Sequence, residues 1–268
     1  AKAALVTKRV GDTLKQYAHI GTGNYNATTA KIYTDVSYLT SDEAITNDVI
    51  RFFHFLTGFS KKGKLNTLYM APTQMKPKLL SMVQNETKMR TEGHIIVKVN
   101  SLVDEDVIRA LYKASQAGVK IEIIVRGICC LRPGIKGLSE NIRVISIIGK
   151  YLEHARVFYF KHASPKVYIS SADWMPRNLI RRIELLTGIS NEKAASKLLQ
   201  ILQLQCSDNV LSYELKSDGG YIKVATDKAK TINNQRLIET HTEKIHKALK
   251  KENPNYVQQM ATRLFKES

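Results

Sequence analysis

The chain has 268 residues, 43% of them hydrophobic, enough for one large buried core or two ordinary ones. Lysine and arginine outnumber aspartate and glutamate 41 to 24, a net charge of +17, which directs attention to polyanionic partners: nucleic acid, phosphorylated small molecules, inorganic phosphate chains or an anionic membrane surface. Three cysteines (Cys129, Cys130 and Cys206) exclude a disulfide framework and fit no metal-ligand spacing, no apolar run reaches the ~20 residues of a membrane span, and no signal peptide is visible, so reduced thiols in the cytoplasm are the expectation.

The first stretch predicts a hairpin, with strands over residues 3–7 and 14–20 around the turn signal Gly11-Asp12. The chain opens on Ala1 without a methionine, inside a strand-like run, which reads as a trimmed polypeptide. After HIGTGNYNATTAKIYTD, Ser41-Asp42-Glu43 caps a helix carrying Ile45, Val49, Ile50, Phe52, Phe53 and Leu56, and Gly58 ends it. The basic loop SKKGK predicts a boundary between one domain at 1–64 and a second at 65–268.

Alternation follows: LNTLYMA a strand, 76–90 a helix, HIIVKV a strand, DEDVIRALYKASQAG a helix with Asp104 as cap and Gly118 as stop, and KIEIIV a strand. Strand, helix and strand at this spacing predict a parallel sheet, extended by residues 144–148 and a hairpin around Phe158 and Tyr168. Beyond Trp174 the pattern reads as helical, over 191–206 and 237–250, then a polar tail. The fold class expected is α/β, with mixed sheets flanked by helices in two similar halves. A weak echo supports the halves. Lys2 precedes a hairpin ending in GTGN, and Arg156 precedes one ending in SSAD. Two such halves facing each other form one site on a two-fold axis.

Residues two apart in a strand share a face, so His154 and Arg156 of EHARVFYF point together while Glu153 and Ala155 point away. An imidazole can move a proton near neutral pH, and a guanidinium beside it can hold a phosphate. On spacing alone, a surface His and Arg at a strand start is the commoner explanation. Arg126 directly follows KIEIIV, where ligands of open α/β sheets bind, and a cation there suits an anion. GTGNYN, with Asn24, could cradle phosphate through its amides or be plain turn chemistry. His19 reads as a satisfied core histidine. Tyr25, Tyr33 and Tyr38 read as packing more readily than as base-stacking residues. Arg177, Arg181 and Arg182 after SSADW are either a second clamp or helix-end basicity.

AKAALVT, YAHIGTGNYNATTAKIYTD, NDVIRFFHFLTG, LYKASQAGVKIEIIVRGICCLRPGIKGLSENIRVISIIGKYLEHARVFYF and VYISSADWMPRNLIRRIE run in order over most of residues 1–190. Together they resemble the carboxy-terminal half of the bacterial-type polyphosphate kinases, the class built on a phospholipase-D-like core. SDNVLSYEL and DGGYIKV extend the match more faintly.

The resemblance implies reversible transfer of the terminal phosphate of ATP to inorganic polyphosphate, with Mg2+, through a phosphohistidine. Lys2 fits the lysine of the family's H-x-K motif, so the nucleophilic histidine falls directly before Ala1 and outside this chain. The resemblance makes His154, as the opposing acid or base, and Lys2 catalytic residues, Arg126 a phosphate-binding residue and Tyr33 a contact for adenine, with Arg156 and Asn24 completing the ATP and phosphate contacts. No protein metal motif is required. The isolated chain is expected to fold and not to catalyse. Ile180 stands where the family more usually has aspartate. ATP/ADP and polyphosphate are the expected partners, while homo-oligomers and peripheral membrane association stay open.

Two rivals remain. A phospholipase-D-like phosphodiesterase needs an Asp shortly after Lys2 or Arg156, and none is there. A non-catalytic polyanion-binding module fits the charge. Sparse aromatics and the lack of a known module disfavour nucleic acid.

Overall fold

A computed structural model describes residues 1–61, 63–226 and 230–252. Lys62 of the SKKGK loop and the polar tail from residue 253 lie outside the described residues. Ala3–Val10 (β1) and Thr13–Gly21 (β2) pair antiparallel about Gly11-Asp12. Gly11 has φ 61°, which costs glycine no steric strain. Tyr33–Thr34 (β3) and Ser37–Thr40 (β4) follow, and β4 completes a three-stranded sheet in the order β1-β2-β4. The Asp42 side chain accepts the Ile45 amide and starts helix α1, Glu43–Leu56. Ile45, Val49 and Phe52 pack on Ala18 and Ile20 of the sheet.

Leu68–Ala71 (β5), Met75–Lys88 (α2), His94–Val99 (β6), Glu105–Gln116 (α3) and Lys120–Val125 (β7) realise the expected alternation. Next come Ile142–Ile147 (β8), Leu152–Glu153 (β9), Arg156–Phe160 (β10), Val167–Ser170 (β11), Pro176–Ile180 (α4) and Glu184–Gly188 (β12). Glu192–Cys206 (α5), Ser212–Leu215 (β13), Tyr221–Lys223 (β14) and Asn234–Glu252 (α6) complete the order.

Nine strands form one mixed sheet, β14-β13-β8-β7-β6-β10-β11-β12-β5. Only β6, β7 and β8 run parallel to one another; every other pairing in this sheet is antiparallel. The parallel reading holds for β6, β7 and β8 alone, with α3 joining the first two and a helix-free loop the last two. Both faces are covered, so side chains divide by the two-residue period. Ile95, Val97 and Val99 of β6 join the core beneath α2 and α3, while Ile96 joins the opposite core, which α5 covers.

The region after Trp174 corrects the helical expectation. Helix α4 spans five residues, and three strands, β12, β13 and β14, stand among the helices. These strands are three to five residues long, too short for a period to show. No described helix is long and apolar enough to cross a membrane.

Among the links that join the first 61 residues to the large sheet, two bear on its backbone directly. Strand β3 pairs parallel with β9, placing Tyr33 opposite Leu152 and Thr34 opposite Glu153. The second is Asp48 of α1. Its carboxylate accepts the amides of Asn66, Thr67 and Leu68, the Thr67 hydroxyl and Arg51. Burial alone raises a carboxyl, yet these hydrogen bonds outweigh it and hold Asp48 below its ordinary value.

Asp48→Asn is therefore expected to lower the unfolding free energy by about 2–4 kcal/mol, read by urea denaturation at neutral pH. A depressed carboxyl contributes stability above its unfolded value, about 3.9, and loses it as pH falls through the native value. The gap between wild type and variant should close on acidification; a gap that stays constant contradicts the assignment.

Candidate active site

The pairing of β3 with β9 carries Asp35 to His154, 119 positions away in the chain. The two Asp35 carboxylate oxygens lie 2.9 and 3.0 Å from His154 Nδ1. A carboxylate only accepts, so the network assigns the proton to Nδ1 and leaves the lone pair on Nε2. Arg156 Nη1 lies 3.1 Å from Nε2 and 3.4 Å from Nδ1, alongside the ring and off the Nε2 lone-pair axis, so its charge flanks the imidazole while Nε2 stays open. His154 and Arg156 share a side of the strand as their spacing predicts. Glu153 and Ala155 face the other way, Glu153 meeting Gln205 of α5.

Asp35 is itself held from the first hairpin. The Thr22 hydroxyl donates to its Oδ1 at 2.6 Å. Gly23 approaches so closely that a Cβ there would sit 2.3 Å from Asp35 Oδ2, so this position accepts only glycine while Asp35 keeps its place.

Arg156 is buried, and its Nε and Nη2 donate to Asp173 at 3.1 and 2.9 Å in a two-point fork. Its Nη1 also donates to the Thr22 carbonyl at 3.2 Å. Asp173 further accepts the Asn100 backbone amide at 2.7 Å and its side-chain amide at 3.1 Å. Burial pushes the Asp173 carboxyl up, but Arg156 and Asn100 prevail and hold it below its ordinary value. The paired face of Arg156, read from sequence as a phosphate fork, is thus occupied by Asp173. What Arg156 offers the site is a fixed positive charge.

Arg126 keeps donors free among the described residues. Its Nε donates to Asn100 Oδ1 at 3.1 Å and to the Glu153 carbonyl at 2.9 Å. Among the described residues no acceptor takes either terminal amino group. Lys2, at the head of β1, also belongs here. Burial pushes its ammonium below the ordinary value, Glu184 opposes that shift, and Arg156 and Arg182 add to it.

Glu184 mirrors Asp35. The Ser171 hydroxyl and the Asn178 amide donate to it, and it stands beside Lys2 at the start of β1. Each half therefore lends a carboxylate to the other half's strand head: Asp35 to His154, and Glu184 to the start of β1.

The family description "Polyphosphate kinase C-terminal domain 1" matches residues 1–62, and "Polyphosphate kinase C-terminal domain 2" matches residues 68–235. The chain belongs to the polyphosphate kinase family. It is 55% identical to a polyphosphate kinase of Campylobacter jejuni subsp. doylei over 269 residues, spanning 100% of this chain and 38% of that protein. A Helicobacter pylori polyphosphate kinase is 55% identical over 226 residues, 84% of this chain and 33% of its own. The crystal structure of polyphosphate kinase from Porphyromonas gingivalis superposes with a TM-score of 0.85 at 34% identity, covering 92% of this chain and 39% of that one.

Within this polyphosphate kinase fold, His154, Arg156, Arg126 and Lys2 converge, while the remaining sequence candidates separate. Tyr33 packs on His154 with ring centroids 4.8 Å apart and planes tilted by 45°, and it lines a cavity of about 600 Å³ with Tyr151 and residues of α5 and α6. Asn24 is exposed, and among the described residues its side chain makes no hydrogen bond. His19 is half-buried against the Tyr25 hydroxyl at 2.7 Å, not a core histidine. Tyr38 packs in the core. Arg177, Arg181 and Arg182 are exposed, as is Ile180.

Asp35, Thr22, Asn100 and Glu184 were missed. Asp35 and Thr22 stand inside a quoted stretch, but no short-range spacing ties them to His154. SSAD proves structural as well as electrostatic, Ser171 holding Glu184 and Asp173 holding Arg156.

Asp173→Ala leaves the buried Arg156 charge uncompensated and is expected to cost about 3–5 kcal/mol of stability. Urea unfolding measures it; a loss under about 1 kcal/mol, typical of surface changes, contradicts the burial argument.

Proposed function

We propose that this chain forms the catalytic carboxy-terminal part of a polyphosphate kinase, which transfers the terminal phosphate of ATP to inorganic polyphosphate and back. The observation that carries this reading is the His154 imidazole, fixed by Asp35 at Nδ1 and open to proton exchange at Nε2, set among Arg156, Arg126 and Lys2. Family membership supplies the reaction class.

In the proposed reaction a histidine preceding Ala1 attacks the terminal phosphorus of ATP, and ADP leaves. The terminal oxygen of a polyphosphate chain then attacks the phosphohistidine, and the histidine leaves. His154 Nε2 takes a proton from an incoming phosphate oxygen and returns it to a departing one. Asp35 stabilises the imidazolium formed in between. Phosphoryl transfer is mainly positioning and charge stabilisation. Arg126 supplies the free fork for phosphate oxygens, and Arg156 and Lys2 supply fixed charge. Tyr33, packed against the imidazole, is the residue this reading sets against the adenine ring.

Magnesium accompanies ATP in this reading. The site's own carboxylates do not suit it, because Asp35, Asp173 and Glu184 are each taken by a cation or by hydrogen-bond donors. Magnesium therefore arrives on the phosphates, where it neutralises charge, and no step here depends on a protein ligand for it.

The test uses the polypeptide extended upstream to include the missing part of its relatives' length. With ATP labelled on the terminal phosphate, acid-labile and alkali-stable label should appear on the protein and chase into polyphosphate. His154→Ala should slow the transfer by about 10²–10⁴-fold. Arg126→Ala should weaken tripolyphosphate binding by about tenfold or more, the loss of one charged hydrogen bond or two. The 268-residue chain alone should not turn over. Absence of label with nucleotide binding intact, or turnover by the chain alone, contradicts the proposal.

A further inference from the structure

We infer that Glu153 is the positioning residue of the Asp35–His154 pair, and that helix α6 completes its cage. The inference deepens the site reading above, to which it is tied through His154.

Glu153 is 3% exposed, yet its carboxylate faces away from the reactive side of the strand. Four side chains from four elements donate to it. Lys98 of β6 forms an ion pair with Oε2. The Thr34 hydroxyl of β3 donates to the same oxygen at 3.0 Å, and Gln205 of α5 at 3.1 Å. Gln235 of α6 donates to Oε1 at 2.7 Å. Such a concentration of donors on one buried carboxylate compensates its charge, and it also fixes the backbone on either side.

The consequence runs through Thr34. Its oxygen accepts the His154 backbone amide at 3.3 Å, and its neighbours are Tyr33, which packs on the imidazole, and Asp35, which holds Nδ1. Glu153 is the residue before His154, and its carbonyl accepts Arg126 Nε. One carboxylate thus sets the spacing of β3 against β9, the placement of both members of the pair, and the anchor of the anion-facing arginine.

Helix α6 closes the arrangement. Gln235 brackets Tyr151, accepting its amide at 3.0 Å and donating to its carbonyl at 2.9 Å. One turn on, Glu239 accepts from the Tyr151 hydroxyl at 2.6 Å and from Lys150 at 2.7 Å. The segment leading into His154 is therefore clamped by α6 over residues 150–153. None of this is visible in a motif, because the donors come from positions 34, 98, 205 and 235.

The test reads the imidazole directly and needs no kinase activity. In the 268-residue chain labelled with ¹⁵N-histidine, two-bond proton–nitrogen correlations separate the Nδ1–H and Nε2–H tautomers of each of the seven histidines, and His154→Gln assigns the signal. The wild-type His154 should show the Nδ1–H form. Glu153→Gln should lose that single-tautomer signature. Because that variant strands Lys98 and could fail to fold, Thr34→Val and Gln235→Leu, which keep the Lys98–Glu153 pair, should each reproduce the loss. Glu214→Gln, which removes a distant pair with Arg143, should not. Folded Thr34→Val and Gln235→Leu variants that keep the wild-type signature overturn the positioning role. A wild-type chain lacking the signature overturns the Asp35–His154 pairing itself. Neither result bears on whether the longer enzyme forms phosphohistidine.

Discussion

The contact between the Asp35 carboxylate and the His154 imidazole is the constraint on which the rest of the site depends. It crosses the junction between the small three-stranded sheet and the large mixed one, so neither partner reaches its place unless both units have docked. It also decides the chemistry. With Nδ1 committed to a carboxylate, the imidazole presents one defined nitrogen, Nε2, to a neighbourhood of fixed positive charge. Glu184, which belongs to the large sheet, stands in turn beside Lys2 at the head of β1. Function is thereby tied to assembly, because two half-sites are completed by carboxylates that they do not themselves carry.

The site manages its charge by sorting buried cations from available ones. Arg156 is the more deeply buried, and it is neutralised by a two-point pair with Asp173 that two amides of Asn100 reinforce. A lone buried guanidinium is costly, and this arrangement removes the cost while leaving the field of the arginine on His154 Nε2. Among the described residues Arg126 is anchored by Nε alone, and its terminal groups meet no acceptor. Polyanion recognition by such a site separates orientation from contact: Arg156 orients and Arg126 touches. The +17 net charge of the chain adds long-range attraction, which is salt-sensitive and unspecific.

Local signals were legible and distant ones were not. The hairpin at Gly11, the Asp42 and Asp104 caps and the strand–helix alternation from Leu68 to Val125 rest on neighbours in sequence, and each appears as read. His154 and Arg156 were paired correctly because the two-residue period of a strand is itself local. Thr22, Asp35, Asn100 and Glu184 act across gaps that no period spans. Strands β12, β13 and β14 were hidden by their shortness and by the helical patterns around them. The echo between GTGN and SSAD was partly misleading. Asp173 is buried against Arg156, whereas Asn24 is exposed, and the true counterparts across the two halves are Asp35 and Glu184. Arg156 illustrates a further limit, since spacing revealed its side of the strand but not that Asp173 already fills its fork.

The most direct test of the account is a crystal structure of this chain with tripolyphosphate. The account predicts a phosphate group bridging the free amino groups of Arg126 and His154 Nε2, with Lys2 nearby and the Arg156–Asp173 pair undisturbed. Phosphate bound instead along the exposed Arg177, Arg181 and Arg182, with the His154 side of the junction empty, would contradict it.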